Sequence, residues 1–201
     1  MSTAVETTHL RVAVLASGEG SNLQAIIDRV HGRYGVEVAC VVSDKSTARA
    51  LERAAASGIA TATFPIAEFD GDRARRDAAI TAHLREQHIE LIVLAGYMQI
   101  LSGEFITAFF GRVINVHPSL LPKYPGLKSI EQALDAGETE TGVTVHYVDE
   151  GVDTGPVIAQ ESLAIEAGDD VASLAFRVHE IEHRLLPEVI AQIAAERASE
   201  A

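Results

Sequence analysis

An asparagine and a histidine, two positions apart, follow a short apolar run and could support acid–base chemistry. Asn115 and His117 point to the same side of an extended strand, because side chains alternate along a strand with a period of two. An amide can stabilise a developing oxyanion, and an imidazole can move protons. Pro118 and Pro122 stiffen the loop that follows. A lone histidine at a strand end is more often structural, but this pair predicts acyl transfer to an amine.

An acidic loop further along the chain supplies carboxylates that could act together with His117. His146 lies in an alternating run, and Asp149, Glu150 and Asp153 follow it. One interpretation is a solvated hairpin loop; another is that a carboxylate orients His117 and favours its imidazolium form. A metal site of His117, His146 and Asp153 is a third, but no coordination spacing supports it. We therefore expect no metal.

A glycine-containing turn, SGEGSN at residues 17–22, leads into an apolar helical pattern. Such a turn at a helix start exposes backbone N–H groups that suit a phosphate. The dinucleotide fingerprint would need a third glycine where Leu23 stands, and the Gly-Lys-Ser/Thr of a P-loop is absent. The turn therefore favours a single phosphate, with a tight turn capped by Ser21 or Asn22 as the alternative.

The segment HEIEH at residues 179–183 carries two histidines four positions apart on a predicted helix. This spacing could bind a metal, but a third ligand and the HExxH pattern are missing. For Glu182, a solvated helix face is the alternative to a functional role.

The apolar pattern alternates between short strand-like runs and longer helical periods. Strands are predicted at Leu10–Ala16, Val36–Ser43, Thr61–Phe64, Leu91–Ala95, Val113–Val116, Gly142–Val148 and Val157–Ile165. Helices are predicted at Ser21–His31, Ser46–Ser57, Asp70–Gln87, Gly103–Phe109, Ser129–Ala136 and Val171–Ala195.

The order of these elements predicts a doubly wound α/β fold. The β-α-β-α-β-α-β order of the first half predicts a mostly parallel sheet with right-handed crossovers. After residue 140 two strands follow without a helix between them, which indicates antiparallel C-terminal strands. Ligands of such sheets bind beyond the carboxyl ends of the strands, where the polar clusters stand.

The composition places limits on the class of protein. Of the 201 residues, 47% are hydrophobic and 22% are charged, which is typical of a globular chain. We expect one domain at residues 10–195, with flexible tails at 1–9 and 196–201. The net charge of −13 argues against nucleic acid or an anionic membrane as partner, although small anionic substrates remain possible. A single cysteine, Cys40, and the lack of a signal-peptide or membrane-span pattern predict a cytoplasmic protein.

Four motifs in this order resemble a known family: ASGEGSNLQAII, LAGYMQIL, INVHPSLLPKYPG and GVTVHYVDEGVDTGPVIAQ. Over about residues 10–190 the chain resembles the folate-dependent formyltransferases, and among them the phosphoribosylglycinamide formyltransferases. The resemblance implies a Rossmann-like formyltransferase fold and formyl transfer from 10-formyltetrahydrofolate, as co-substrate, to the amine of phosphoribosylglycinamide in purine biosynthesis. It implies small-molecule partners and leaves a homodimer possible.

The resemblance also implies roles for individual residues. His117 would be the general acid, Asn115 would hold the oxyanion, and Asp153 would orient His117 and stabilise its imidazolium. The ribonucleotide site would comprise Gly20, Ser21, Asn22, His179, Glu180, Ile181 and Glu182. The folate site would comprise Arg73, Met98, Gln99, Ile100, Leu101, Asn115, Asp149, Glu150, Gly151, Val152 and Asp153.

Two departures from the family pattern concern the folate site. The segment FDGDRARRD is one residue longer, which leaves Arg75 or Arg76 as alternatives to Arg73. Gln99 stands where an arginine is common, so contacts through the backbone would survive there and a guanidinium contact would not.

Three other functions are alternatives to this interpretation. A methionyl-tRNA formyltransferase would carry a further C-terminal domain, and a formyltetrahydrofolate hydrolase would carry an N-terminal regulatory domain; we expect neither domain here. A non-catalytic nucleotide-binding module would need only the glycine turn, which leaves Asn115, His117 and Asp153 unexplained.

Overall fold

The computed structural model describes residues 9–200, so the predicted N-terminal tail lies outside the described residues except for His9. The strands are β1 (Leu10–Leu15), β2 (Val36–Ser43), β3 (Ala60–Thr63), β4 (Leu91–Leu94), β5 (Val113–His117), β6 (Glu140–Tyr147) and β7 (Val157–Ala164). The helices are α1 (Ser21–Arg29), α2 (Arg49–Ala56), α3 (Arg73–Glu86), α4 (Gly103–Ala108), α5 (Ser129–Asp135) and α6 (Val171–Glu200).

All seven strands form one mixed sheet in the order β3-β2-β1-β4-β5-β6-β7. The first five strands in this order, from β3 through β2, β1 and β4 to β5, pair in parallel. Strand β6 runs antiparallel to β5, and β7 runs antiparallel to β6. The predicted fold class, a doubly wound and mostly parallel sheet with antiparallel C-terminal strands, is confirmed. The carboxyl ends of β1, β2, β4 and β5 consequently meet at one edge of the sheet.

Helices cover the sheet on both faces, because the central strands are apolar throughout. One face packs against α1 and α6, with Leu23 and Leu186 fully buried. The other face packs against α3 and α4, with Ile80 and Phe105 in its core. Cys40 lies in this second core, and burial raises the pKa of its thiol to about 11. The thiol is therefore inert, as its apolar surroundings in the sequence predict.

Three predicted helix boundaries differ from the structure by three residues or more: the end of α6, the start of α3, and the start of α2, which is Arg49 and not Ser46. Helix α6 continues to Glu200, so the predicted tail is helical over 196–200. Buried Ile193 and Ala194 keep its last turns packed, and the Arg197 guanidinium donates to the carbonyl of Glu90 at 3.3 Å. Helix α3 begins three residues after the predicted Asp70, because Asp72 caps it by accepting the Arg75 N–H.

A short 3-10 helix, Ile66–Phe69, precedes that start. Among residues 9–200, no helix is long and apolar enough to cross a membrane.

Candidate active site

A cavity of about 490 Å³ opens beyond the carboxyl ends of β4 and β5. One wall is the segment Met98–Leu101, which follows β4, and the opposite side is the loop Asp149–Asp153, which follows β6. Asn115 and His117 lie at the base, where β5 ends. Both predicted clusters of polar residues therefore meet in one cavity.

Strand pairing places a second histidine beside the Asn115 side chain. In the antiparallel register of β5 and β6, Asn115 lies opposite His146. The Asn115 Nδ2 lies 3.3 Å from the His146 Nε2. The loop after β6 then returns and brings Asp153 onto the same group of side chains, with Asn115 Nδ2 donating to its Oδ1 at 3.3 Å.

Asp153 is the centre of this cluster, because each of its oxygens has two neighbours. Oδ2 lies 3.4 Å from His117 Nδ1 and accepts the Gly126 N–H at 2.7 Å. Oδ1 lies 3.5 Å from His146 Nε2. Burial alone would raise the pKa of Asp153, but the His146 hydrogen bond, the Gly126 N–H and the nearby histidines lower it to about 2. Asp153 is therefore a carboxylate at neutral pH.

His117 is held between two oxygen acceptors. Its Nε2 lies 2.8 Å from the backbone carbonyl of Tyr124, and its Nδ1 faces Asp153. This geometry accommodates a ring with a proton on each nitrogen, which is the form that can act as an acid.

His146, one of the possible metal ligands in the sequence, contacts backbone and the polar cluster in the structure. Its Nδ1 lies 2.8 Å from the carbonyl of Tyr147, and its Nε2 faces both Asn115 Nδ2 and Asp153 Oδ1. Within residues 9–200, no group of three acidic, histidine or cysteine side chains is arranged to hold a metal ion. His146 instead orients the Asn115 amide, a contact that only the β5–β6 register reveals.

The glycine turn after β1 closes tightly against α2. Gly20 has a φ of 70°, and a Cβ at this position would lie 2.7 Å from the Ala50 Cα. Only glycine fits there without displacing backbone. No side chain caps α1, and among the described residues the backbone N–H groups of Ser21 and Asn22 have no hydrogen-bond partner. The turn therefore presents free donors, and a capped turn is not what the structure has.

Glu182, in the first half of α6, contacts Asn22 beside this turn. Its Oε2 accepts from Asn22 Nδ2 at 2.8 Å, and the residue is only 4% exposed. Burial raises the pKa of Glu182, with Asn22 and His179 opposing the shift. The alternative of a solvated helix face is therefore wrong for Glu182. His179 and Glu180 are exposed, whereas Ile181 belongs to the core.

Comparison with known proteins identifies the family. The formyl transferase family model matches residues 10–190. The chain belongs to the formyl transferase family. A solved structure of glycinamide ribonucleotide transformylase 1 from Symbiobacterium toebii superposes with a TM-score of 0.91 at 42% identity, covering 94% of this chain and 90% of that one.

Two relatives show how this formyl transferase chain compares in length. It is 42% identical over 184 residues to the phosphoribosylglycinamide formyltransferase of Bacillus subtilis (strain 168), covering 91% of this chain and 94% of the relative. It is 50% identical over 188 residues to the trifunctional purine biosynthetic protein adenosine-3 of Drosophila pseudoobscura pseudoobscura. That match covers 92% of this chain but only 14% of the relative, so the chain spans about one seventh of that protein.

In the structure of this formyl transferase, most but not all of the residues predicted to bind folate line the cavity. Met98–Leu101 and Asp149–Asp153 line the cavity, together with Asn115. Arg73 does not line it, and its side chain is exposed. Arg75 is exposed and pairs with Asp70. A folate contact by Arg73 therefore stays a prediction.

Other cavity residues carry no signal in the sequence. Gly126, Leu127, Lys128 and Ser129 line the cavity because the chain turns back at 126–129, and Tyr97 lines it just after β4. Their positions depend on contacts between distant segments, such as the Gly126 N–H bonded to Asp153.

Proposed function

We propose that this chain transfers the formyl group of 10-formyltetrahydrofolate to the amine of phosphoribosylglycinamide, a step of purine biosynthesis. The observation that carries the proposal is the convergence of Asn115, His117 and Asp153 at the base of one cavity. Membership of the formyl transferase family and the names of its full-length relatives support the choice of substrates.

The formyl folate is assigned to the cavity. Its lining carries apolar side chains, including Leu94, Ile106 and Val148, beside the polar cluster of Asn115, His117 and Asp153. This arrangement suits a flat heteroaromatic ring whose reacting end lies next to the polar groups. Met98–Leu101 and Asp149–Asp153 would enclose the ring from two sides.

The phosphate of the ribonucleotide is assigned to the start of α1. Free backbone N–H groups and the positive end of the helix dipole favour an anion there. Glu182, next to Asn22, would accept hydrogen bonds from polar groups of the same substrate. The chain can therefore bind an anionic nucleotide despite its net charge of −13.

In the proposed mechanism, the substrate amine attacks the formyl carbon and forms a tetrahedral intermediate with a negatively charged oxygen. The Asn115 amide donates to that oxygen, which requires one of its long 3.3 Å contacts to give way. His117 then protonates the departing folate nitrogen, the carbon–nitrogen bond to folate breaks, and the proton released by the attacking amine returns to the His117 imidazole. Asp153 remains ionised throughout and holds the imidazolium in place.

The test is an absorbance assay for deformylated folate, run with and without phosphoribosylglycinamide. We expect product only when the ribonucleotide is present, and none from the Asp153→Asn variant purified in the same way. Release of deformylated folate without the ribonucleotide would instead indicate a hydrolase. No product under either condition would contradict the proposal.

A further inference from the structure

A buried ion pair lies behind the cavity wall and outside the catalytic cluster. Arg76 and Asp77, neighbours on α3, have side chains that are 0% and 1% exposed. The Arg76 Nε and Nη2 both donate to Asp77 Oδ1, at 2.9 and 2.8 Å. Two buried charges are tolerated only when further hydrogen bonds satisfy their remaining donors and acceptors. The partners of those remaining atoms indicate what the pair does.

The remaining atoms of the pair contact the segment after β4. Arg76 Nη1 donates to the Gln99 Oε1 at 3.0 Å, and Nη2 lies 3.5 Å from the carbonyl oxygen of Ile100. Asp77 Oδ2 accepts the Ser102 N–H at 2.7 Å. Both members of the pair therefore hold the segment that supplies the Met98–Leu101 wall of the cavity.

Gln99 extends this network to the sheet. Its Nε2 donates to Asp44 Oδ2 at 2.9 Å, just beyond β2, so both ends of its amide are fixed. At the start of the segment, the Met98 N–H donates to Ser17 Oγ at 2.8 Å. The segment is neither helix nor strand, so side-chain contacts replace the regular backbone ladder that would otherwise fix its shape.

We propose that Arg76 is a positioning residue for the folate site. It acts through Gln99 and Ile100, fixing the wall against which the folate ring packs, and makes no contact with substrate itself. This inference rests on the proposed function. A planar guanidinium is required, because it reaches the Asp77 carboxylate with two nitrogens and Gln99 with a third. A lysine ammonium offers one nitrogen and cannot span these acceptors.

The main test variant is Arg76→Met/Asp77→Asn. It removes both buried charges together, so no unpaired charge is left in the core, and the asparagine oxygen can still accept the Ser102 N–H. The variant loses the contacts of the Arg76 guanidinium with the Gln99 side chain and the Ile100 carbonyl. The matched control is Arg85→Met, which removes an exposed guanidinium in the last turn of the same helix.

We expect the double variant to raise the KM for formyl folate about tenfold, the scale for losing a hydrogen bond to a charged group. Its kcat and its KM for the ribonucleotide should stay within about twofold of the parent, as should every constant of Arg85→Met. A second variant, Arg76→Lys, keeps the charge and should raise the folate KM by an intermediate factor. Equal rises in both KM values, a fall in kcat alone, or a parental folate KM in Arg76→Lys would overturn the proposal.

Direct titration with 5-formyltetrahydrofolate, a non-reacting isomer, separates this proposal from the proposed function. We expect the same ratio of Kd between parent and double variant as of folate KM. A parent chain that binds this folate but transfers no formyl group would contradict the proposed function, while the Kd ratio would still decide the role of Arg76. An unchanged Kd in the double variant would overturn the positioning role.

Discussion

Two carboxylate–cation pairs serve the same cavity, one inside it and one behind its Met98–Leu101 wall. The outer pair, Arg76 and Asp77, is closed at 2.8 Å, fully buried, and built from a cation that stays charged. The inner pair, His117 and Asp153, is separated by 3.4 Å, and its cation can gain and lose a proton. In the proposed mechanism this difference corresponds to a division of labour, in which the permanent pair would fix shape and the His117–Asp153 pair would carry out proton transfer.

The largest expected effect comes from breaking the inner pair. Asp153→Asn removes the charge but keeps the size, and asparagine tolerates the φ of 53° at this position. We expect kcat to fall of order 10²–10⁴-fold, the usual scale for losing a positioned acid or base. Both KM values should change little. Steady-state kinetics with each substrate varied in turn measures this, and a nearly unchanged kcat would remove Asp153 from the mechanism.

A smaller effect is expected at the glycine turn, to which we assign phosphate binding and not proton transfer. Gly20→Ala forces a side chain into contact with Ala50 at a positive φ. We expect the ribonucleotide KM to rise roughly tenfold, since the strain is about 1–2 kcal/mol, while the folate KM stays constant. Gly18→Ala is the matched control, because a Cβ there would meet nothing within 4 Å. Equal damage to both KM values by Gly20→Ala would exclude a dedicated phosphate turn.

The smallest expected effect is a change in thermal stability when Glu182 is substituted. Burial raises the pKa of this carboxyl in the folded protein, so ionising it opposes folding. Glu182→Gln should therefore raise Tm by a few degrees at neutral pH. The gain should shrink as pH falls, and vanish below the unfolded value of about 4.3, where both side chains are neutral. Thermal melts across this range check the sign; a gain that persists in acid would contradict it.

The same substitution should weaken ribonucleotide binding, because glutamine lacks the charge. A Glu182→Gln chain that is both more stable and unimpaired in ribonucleotide KM would exclude Glu182 from the substrate site. The kcat of Glu182→Gln at saturating substrates should change less than the kcat of Asp153→Asn. This difference would distinguish the ribonucleotide site from the catalytic cluster.

The fold could be predicted from local patterns, whereas parts of the site could not. Apolar strands such as Leu91–Leu94 are readable because burial on both faces leaves a continuous apolar run, and the period of two along a strand sets which side chains share a face. Asn115 and His117 follow from that same period.

The contacts that sequence reasoning missed join distant segments. Arg76 reads as one of several arginines at the start of α3, and nothing local distinguishes it from exposed Arg75. Its burial depends on how Gln99 and Ser102 pack against α3. His146 reads as a possible metal ligand, and its pairing with Asn115 depends on strand register.

A double-mutant cycle tests most directly the claim that His117 and Asp153 act as one unit in formyl transfer. The measurement is kcat for His117→Asn, Asp153→Asn and the variant that combines both, with formyl folate and ribonucleotide saturating. We predict that the combined variant loses about as much kcat as the worse single variant, because either change already removes the positioned acid. Losses that multiply, so that the combined variant falls by the product of the two single effects, would contradict the account.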